Sequence, residues 1–240
     1  MRDPLRLAWL GQRSLSAGDG LLTYSREITR GLRQRGVEVV FVHHEDDEVA
    51  DDSVALPALK VSPRFRIAAP GSSRRLGSAL SERRIDLVHV SLSFSSLDFT
   101  LPDLCHRLGL PIVATLHAPF DTHPTAWGFL SKLLYRIYAP PLARMDCVIV
   151  FGPQQRQLVT RSGVPEAVQR IVPNGVDVLR YSPGPSSAGA ELGAARLFLY
   201  MGRLDPEKKV DVLLEAFLAV RPPRRRGERQ RGKRAGAPLP

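Results

Sequence analysis

Two cations five residues apart, Arg203 and Lys208, follow Gly202 at the junction of an apolar run (197–201) and an amphipathic stretch (210–218). A guanidinium grips a phosphate through two parallel hydrogen bonds, and an ammonium adds a point charge beside it. A helix starting just after them turns its positive end to the same place, and Gly202 leaves room for a ligand to approach the backbone. Fork, charge and dipole together are what a nucleotide diphosphate requires. A second candidate is His117, which closes an apolar, β-branched run (111–116). A neutral imidazole there can hydrogen-bond a ligand hydroxyl, or take up a proton. A third is Gly18-Asp19-Gly20 just before a helical stretch, where backbone amides can seat a phosphate or let a ligand approach the backbone. A metal site drawn from His117, Asp121 and His123 fits no common ligand spacing, so none is expected. His43 and His44, ahead of Glu45-Asp46-Asp47-Glu48, read as a solvated turn after a strand.

The elements that must carry these groups alternate along the chain. Apolar runs at 5–10, 37–42, 85–90, 111–116, 147–151 and 168–172 are short and continuous, as in strands buried on both faces. Helical patterns fall between them at 21–35, toward the end of 63–84, and at 101–108, 127–142 and 154–162. The first sets Leu21, Tyr24, Ile28 and Leu32 at three- and four-residue steps and closes on Gly36. Residues 45–60 read as an acidic turn and an irregular run. Strand and helix in turn predict an α/β fold, a Rossmann-like parallel sheet with helices on both faces.

The formal net charge of +10 is unevenly spread over the 240 residues. The last 20 residues carry eight of the 34 basic side chains and one of the 24 acidic ones, which leaves +3 for residues 1–220. That tail has one aliphatic side chain larger than Ala and reads as disordered. No aromatic residues interleave with its cations, so salt-sensitive, sequence-blind binding is the most it offers a polynucleotide; no specific nucleic acid is expected. Cys105 and Cys147 are too few for a disulfide framework and read as reduced and buried. The start is too short and too interrupted by Arg6 for a signal peptide, and no run is long enough to span a bilayer. A cytoplasmic protein is expected. Arg64, Arg66, Arg74, Arg75, Arg83 and Arg84, with Leu76 and Leu80, would suit peripheral contact with the inner membrane face; a solvated basic face is the other reading.

Gly202-Arg203 with Lys208 resembles the signature opening the second domain of retaining GT-B glycosyltransferases of the "group 1", or family-4, kind. Ile171-Val172-Pro173-Asn174-Gly175-Val176-Asp177, with Tyr181 and Pro183, resembles their interdomain loop. Gly18-Asp19-Gly20 and Thr115-Leu116-His117 match their first domain. The matches keep family order over about 220 residues, far more specific than any one of them. There are two departures. Lys209 stands where the family usually has Gly, and Ser91 in His89-Val90-Ser91 stands where a second His is common.

The resemblance implies the N-terminal half of a GT-B fold with an incomplete second domain. Residues 1–179 would be the acceptor-side domain, 180–195 the interdomain linker, 196–220 the first strand and helix of the donor domain, and 221–240 a basic tail begun where the family has another strand. A frameshift in a gene rich in Arg, Gly, Pro and Ala codons would produce such a tail. The implied activity is transfer of a hexosyl group from a nucleotide diphosphate sugar to a glycan or lipid acceptor hydroxyl with retention, with this chain inactive alone. No cofactor or metal is implied. His117 would be the catalytic-side residue, Gly202, Arg203 and Lys208 the donor-binding ones, and Gly18, Asp19, Gly20, Asn174 and Gly175 the cleft loops. Glu207 and Glu215 imitate the spacing of the family's distal glutamates, yet both fall in the first helix of domain two. The alternative is a non-catalytic acceptor- or lipid-binding domain.

Overall fold

The computed structural model describes residues 3–11, 20–44, 53–60, 66–92, 95–117, 126–193, 197–202, 204 and 208–220. The chain divides into two compact units, Met1–Val176 and Asp177–Pro240.

In the first unit the elements run β1 (Arg6–Leu10), α1 (Gly20–Arg33), β2 (Glu38–His44), β3 (Ser53–Leu56), β4 (Ala58–Lys60), β5 (Arg66–Ala68), α2 (Ser72–Glu82), β6 (Leu87–Ser91), a 3-10 turn (Ser96–Phe99), α3 (Leu101–Arg107), β7 (Ile112–Thr115), α4 (Ala126–Ala143), β8 (Cys147–Val150), α5 (Pro153–Arg161) and β9 (Gln169–Ile171). Seven strands form one sheet in the order β3-β2-β1-β6-β7-β8-β9, and every neighbouring pair is parallel. This is the doubly wound parallel sheet that the alternating pattern predicts. The order reverses between β1 and β6, where crossovers diverge to opposite sides and open a crevice at the carboxyl ends of the strands.

Side chains alternate across the sheet, and the two faces bury different sets. Ala8, Val88, Ala114 and Val148 pack with Leu76 and Leu80 of α2 and Tyr135 and Leu142 of α4. Leu7, Trp9, Val39 and Phe41 pack with Tyr24 and Leu32 of α1. Ile112 is fully buried at the start of the inner strand β7. Ile112→Val is expected to cost about 1 kcal/mol, read as a lower midpoint in urea with an unchanged slope.

Several elements depart from the sequence reading. Within 45–60, Ser53–Leu56 is the parallel edge strand β3 and Ala58–Lys60 forms an antiparallel ribbon with β5. Both are too short, beside Pro57 and the acidic run, for period-two alternation to stand out. His43 and His44 are not in a solvated turn. They end β2 and are buried, His43 Nε2 lying 3.1 Å from Ser53 Oγ on β3. In α1, Ile28 is largely exposed while Ser25 and Thr29 are buried. These hydroxyls are satisfied locally: Thr29 Oγ1 donates to the Ser25 carbonyl at 2.7 Å, and Ser25 Oγ accepts from Trp9 Nε1 at 3.3 Å. Leu76 and Leu80 lie in the core, so they give a membrane nothing to bind, although Arg74, Arg75 and Arg84 are exposed. Cys105 is buried, its thiol pushed up to about 12 by burial, but Cys147 is only half-buried.

In the second unit, α6 (Ala188–Glu191) lies within the stretch read as linker, and α7 (Val210–Val220) follows. Residues 197–201, read as a strand, have no ladder among the described residues, and strand character depends on a hydrogen-bonded neighbour. On α7 the apolar side chains of Leu213, Leu214, Phe217 and Leu218 are exposed; Phe217 meets Phe198 edge-on at 5.6 Å. The tail 221–240 lies outside the described residues. Among the described residues no helix is long and apolar enough to cross a membrane.

Candidate functional site

His117 stands two residues past β7, partly buried, at the carboxyl edge of the sheet and one strand from the switch point. Gln155, 3% exposed on α5, braces this turn. Its Nε2 donates to the Leu116 carbonyl at 2.9 Å, and its Oε1 accepts the Phe151 amide at 2.8 Å. The ends of β7 and β8 are thereby tied together immediately before His117.

Four aromatic rings and a hydroxyl complete the group. The Tyr24 ring meets His117 edge-on at 4.6 Å between centroids. Phe151 lies 5.2 Å from His117 and 6.0 Å from Tyr24. Tyr24 Oη and Thr115 Oγ1 are hydrogen-bonded at 3.2 Å, and Thr115 Oγ1 is 2.9 Å from His89 Nε2. The His89 ring stacks on Trp9 at 3.9 Å and 15°. Burial, and secondarily the neighbouring His117, hold His89 far below the ordinary imidazole value, at about 3; it is neutral at any physiological pH. Burial also raises the Tyr24 phenol, opposed by its bond to Thr115.

A small half-open pocket lies at the same edge, between the ends of β1, β2 and β6 and the 3-10 turn, with His44, Ser95 and Asp98 among its lining. Asp98 is buried and accepts from the Ser95 amide at 3.1 Å and from Tyr138 Oη at 3.3 Å. Burial pushes its carboxyl up to about 7 despite those bonds.

The other candidates fall as follows. Gly20 is the first residue of α1, and a Cβ there would meet nothing within 4 Å; Gly18 and Asp19 lie outside the described residues. Asn174 and Gly175 sit in an exposed segment after β9. In the second unit, a Cβ on Gly202 would meet only the end of the Tyr200 side chain, at 2.8 Å. Arg203 lies outside the described residues, and Lys208 is exposed just ahead of α7. The first unit therefore brings His117 together with Tyr24, Thr115 and His89. Sequence reasoning missed these three as a group, because they come from a helix and two strands. Asp121 and His123 lie outside the described residues.

Lys209 has φ 49° and its carbonyl accepts the Leu213 amide, the first bond of α7. A side chain in this left-handed region is strained by about 1 kcal/mol relative to Gly. The departure noted in sequence thus falls on a backbone that favours glycine. Lys209→Gly is expected to raise hydrogen-exchange protection at Leu213 by roughly fivefold.

Comparison with known proteins gives the same fold. The model of Glycosyltransferase Family 4 matches residues 18–180. The chain belongs to glycosyltransferase family 4. A D-inositol 3-phosphate glycosyltransferase of Geodermatophilus obscurus is 38% identical over 234 residues, which cover 83% of this chain and 50% of that protein. Its counterpart in Kineococcus radiotolerans is 27% identical over 233 residues, covering 86% and 53%. This family-4 chain thus spans about half the length of the curated relatives it matches. Among solved structures, sucrose-phosphate synthase of Thermosynechococcus elongatus aligns at TM-score 0.59 and 18% identity, over 90% of this chain and 60% of that one. Alr3699/HepE of Anabaena, solved with UDP and glucose, aligns at 0.63 and 16%, over 91% and 59%. At these identities the likeness is one of fold: the N-terminal half of a GT-B architecture.

Proposed function

We propose that this chain is the acceptor-side domain, with the opening of the donor-side domain, of a glycosyltransferase. The intact enzyme transfers a hexosyl group from a nucleotide diphosphate sugar to an acceptor hydroxyl with retention. The observation that carries this reading is the family-4 match over 18–180, with His117 at the carboxyl edge of the parallel sheet, where open α/β folds bind ligands. His117 lines the acceptor side. Gly202, Arg203 and Lys208 hold the diphosphate and stabilise its departure, an electrostatic contribution that grows toward the transition state. Gly18, Asp19, Gly20, Asn174 and Gly175 form the cleft loops. The relatives' names make D-inositol 3-phosphate the first acceptor to try, ahead of glycans and lipids at the cytoplasmic membrane face.

The test is a protein in which residues 1–220 are continued by a complete second domain taken from a family-4 relative. It is assayed with uridine and guanosine diphosphate hexoses against those acceptors. Transfer with the donor's anomeric configuration preserved is expected, and His117→Ala or Arg203→Ala should lower kcat by about 10²–10³. No transfer across the panel would sink the enzyme reading. Saturable acceptor binding without turnover would favour a non-catalytic binding domain.

A further inference from the structure

The hydrogen-bonded row His89–Thr115–Tyr24 has a direction. His89 Nδ1 is buried and has no hydrogen-bond partner among the described residues, while Nε2 lies 2.9 Å from Thr115 Oγ1. A neutral imidazole carries one ring proton, and the tautomer decides which nitrogen is left unpaired. A proton on Nδ1 would bury an N–H with no acceptor. A proton on Nε2 leaves only an unused lone pair, and buried unpaired acceptors are better tolerated than buried unpaired donors. The Trp9 ring stacked on His89 fixes the plane in which that choice is made. With Nε2–H donating to Thr115 Oγ1, the threonine hydroxyl, fully buried and with no other acceptor among the described residues, spends its own proton on Tyr24 Oη, 3.2 Å away. Tyr24 then accepts from Thr115, and its phenolic hydrogen is released to a third party. Tyr24 is only partly buried and packs edge-on against His117 at the carboxyl edge of the sheet.

We infer that Tyr24 is a ligand-contacting residue whose phenolic hydrogen is given to an oxygen of the bound acceptor, and that Thr115 and His89 are positioning residues that point it there. The row selects a ligand group that accepts a hydrogen bond, a polyol or oxyanion oxygen, over one that can only donate. The row itself depends on burial and geometry alone; its ligand rests on the acceptor-side reading of this edge.

Nitrogen NMR on the 240-residue chain at neutral pH reads the tautomer directly, with His89 assigned by the loss of its signals in His89→Gln. A proton on Nε2 and none on Nδ1 is expected. A proton on Nδ1 would overturn the inference and leave the family-4 reading standing. The ligand is tested with two probes, myo-inositol and inorganic phosphate, followed through the His117 ring signals; the probe that perturbs them tells polyol from oxyanion. Tyr24→Phe should weaken binding about tenfold. Thr115→Val should weaken it similarly, and Thr115→Ser, which keeps the hydroxyl, should restore it to within about twofold. Wild-type affinity in Tyr24→Phe would overturn the contact. Silence of the wild-type chain to both probes, with the tautomer as expected, would overturn the acceptor-side reading instead.

Discussion

Purified as the 240-residue chain, this protein is expected to give no detectable sugar transfer or donor hydrolysis with common uridine and guanosine diphosphate sugars. Two-substrate catalysis draws much of its rate from holding both reactants in line. The chain spans about half the length of its curated relatives, and among the described residues its second unit has one helix longer than four residues and no strand ladder. On the proposed reading Arg203 and Lys208 supply part of a diphosphate clamp, and sugar and base contacts need further elements. Loss of that positioning is worth on the order of 10⁵-fold or more in rate. Radiolabelled donor, with product separated from substrate, has the range to detect this. Turnover within about a hundredfold of typical enzyme rates would refute the expectation and make residues 1–220 a sufficient catalyst.

The second large effect concerns pH, and it is masked in the wild-type protein. Asp98 has its carboxyl raised from 3.8 to about 7. Folding therefore takes up a proton between those values, and Asp98's contribution to stability falls as pH rises from about 4 to 7. His89, held at about 3 against an ordinary 6.5, does the reverse. The unfolded chain is the protonated one over that interval, so stability is full above about 6.5 and is lost as pH falls toward 3. Each swing is roughly 4–5 kcal/mol, and over pH 4–6.5 they oppose each other. Asp98→Asn should unmask the His89 limb, with stability climbing steeply from pH 4 to 6.5. His89→Gln should unmask the other, with stability declining from pH 4 to 7. Urea denaturation at half-unit steps of pH reads both. Three parallel profiles would show that neither group titrates as its burial requires.

The sheet was legible because burial on both faces writes strands as continuous apolar runs, and six of its seven strands do so. The edge strand β3 escaped because four residues beside an acidic turn carry too little pattern, and β4 and β5 are shorter still. His117 could be singled out from Thr115-Leu116-His117 and its place after a strand. Tyr24 could not, because its regular spacing with Leu21 and Leu32 marks it as core-facing, which it partly is. Nor could His89, a polar residue inside an apolar strand, be distinguished from any other satisfied core histidine until its neighbours across the sheet were known. His43 and His44 were misread for a related reason. The acidic run after them suggested solvent, whereas β3, which covers them, is the strand the sequence hardly announces. Lys209, singled out in the chain as a departure, stands at a left-handed backbone angle that favours glycine.

The sheet order also fixes a sequence of events. β1 lies in the interior of the sheet, but its two neighbours become available at very different times. Phe41 pairs with Trp9 after about 30 residues of chain, whereas Leu87 pairs with Leu7 after about 80. The entropy of closing a loop grows with its length, and contacts of long sequence separation slow folding. β1, α1 and β2 can therefore assemble first, leaving Leu7–Leu10 with one edge open until β6 arrives. During synthesis at about 5–20 residues per second, that apolar edge is exposed for several seconds, a window in which a chaperone, or the same strand of another chain, can reach it.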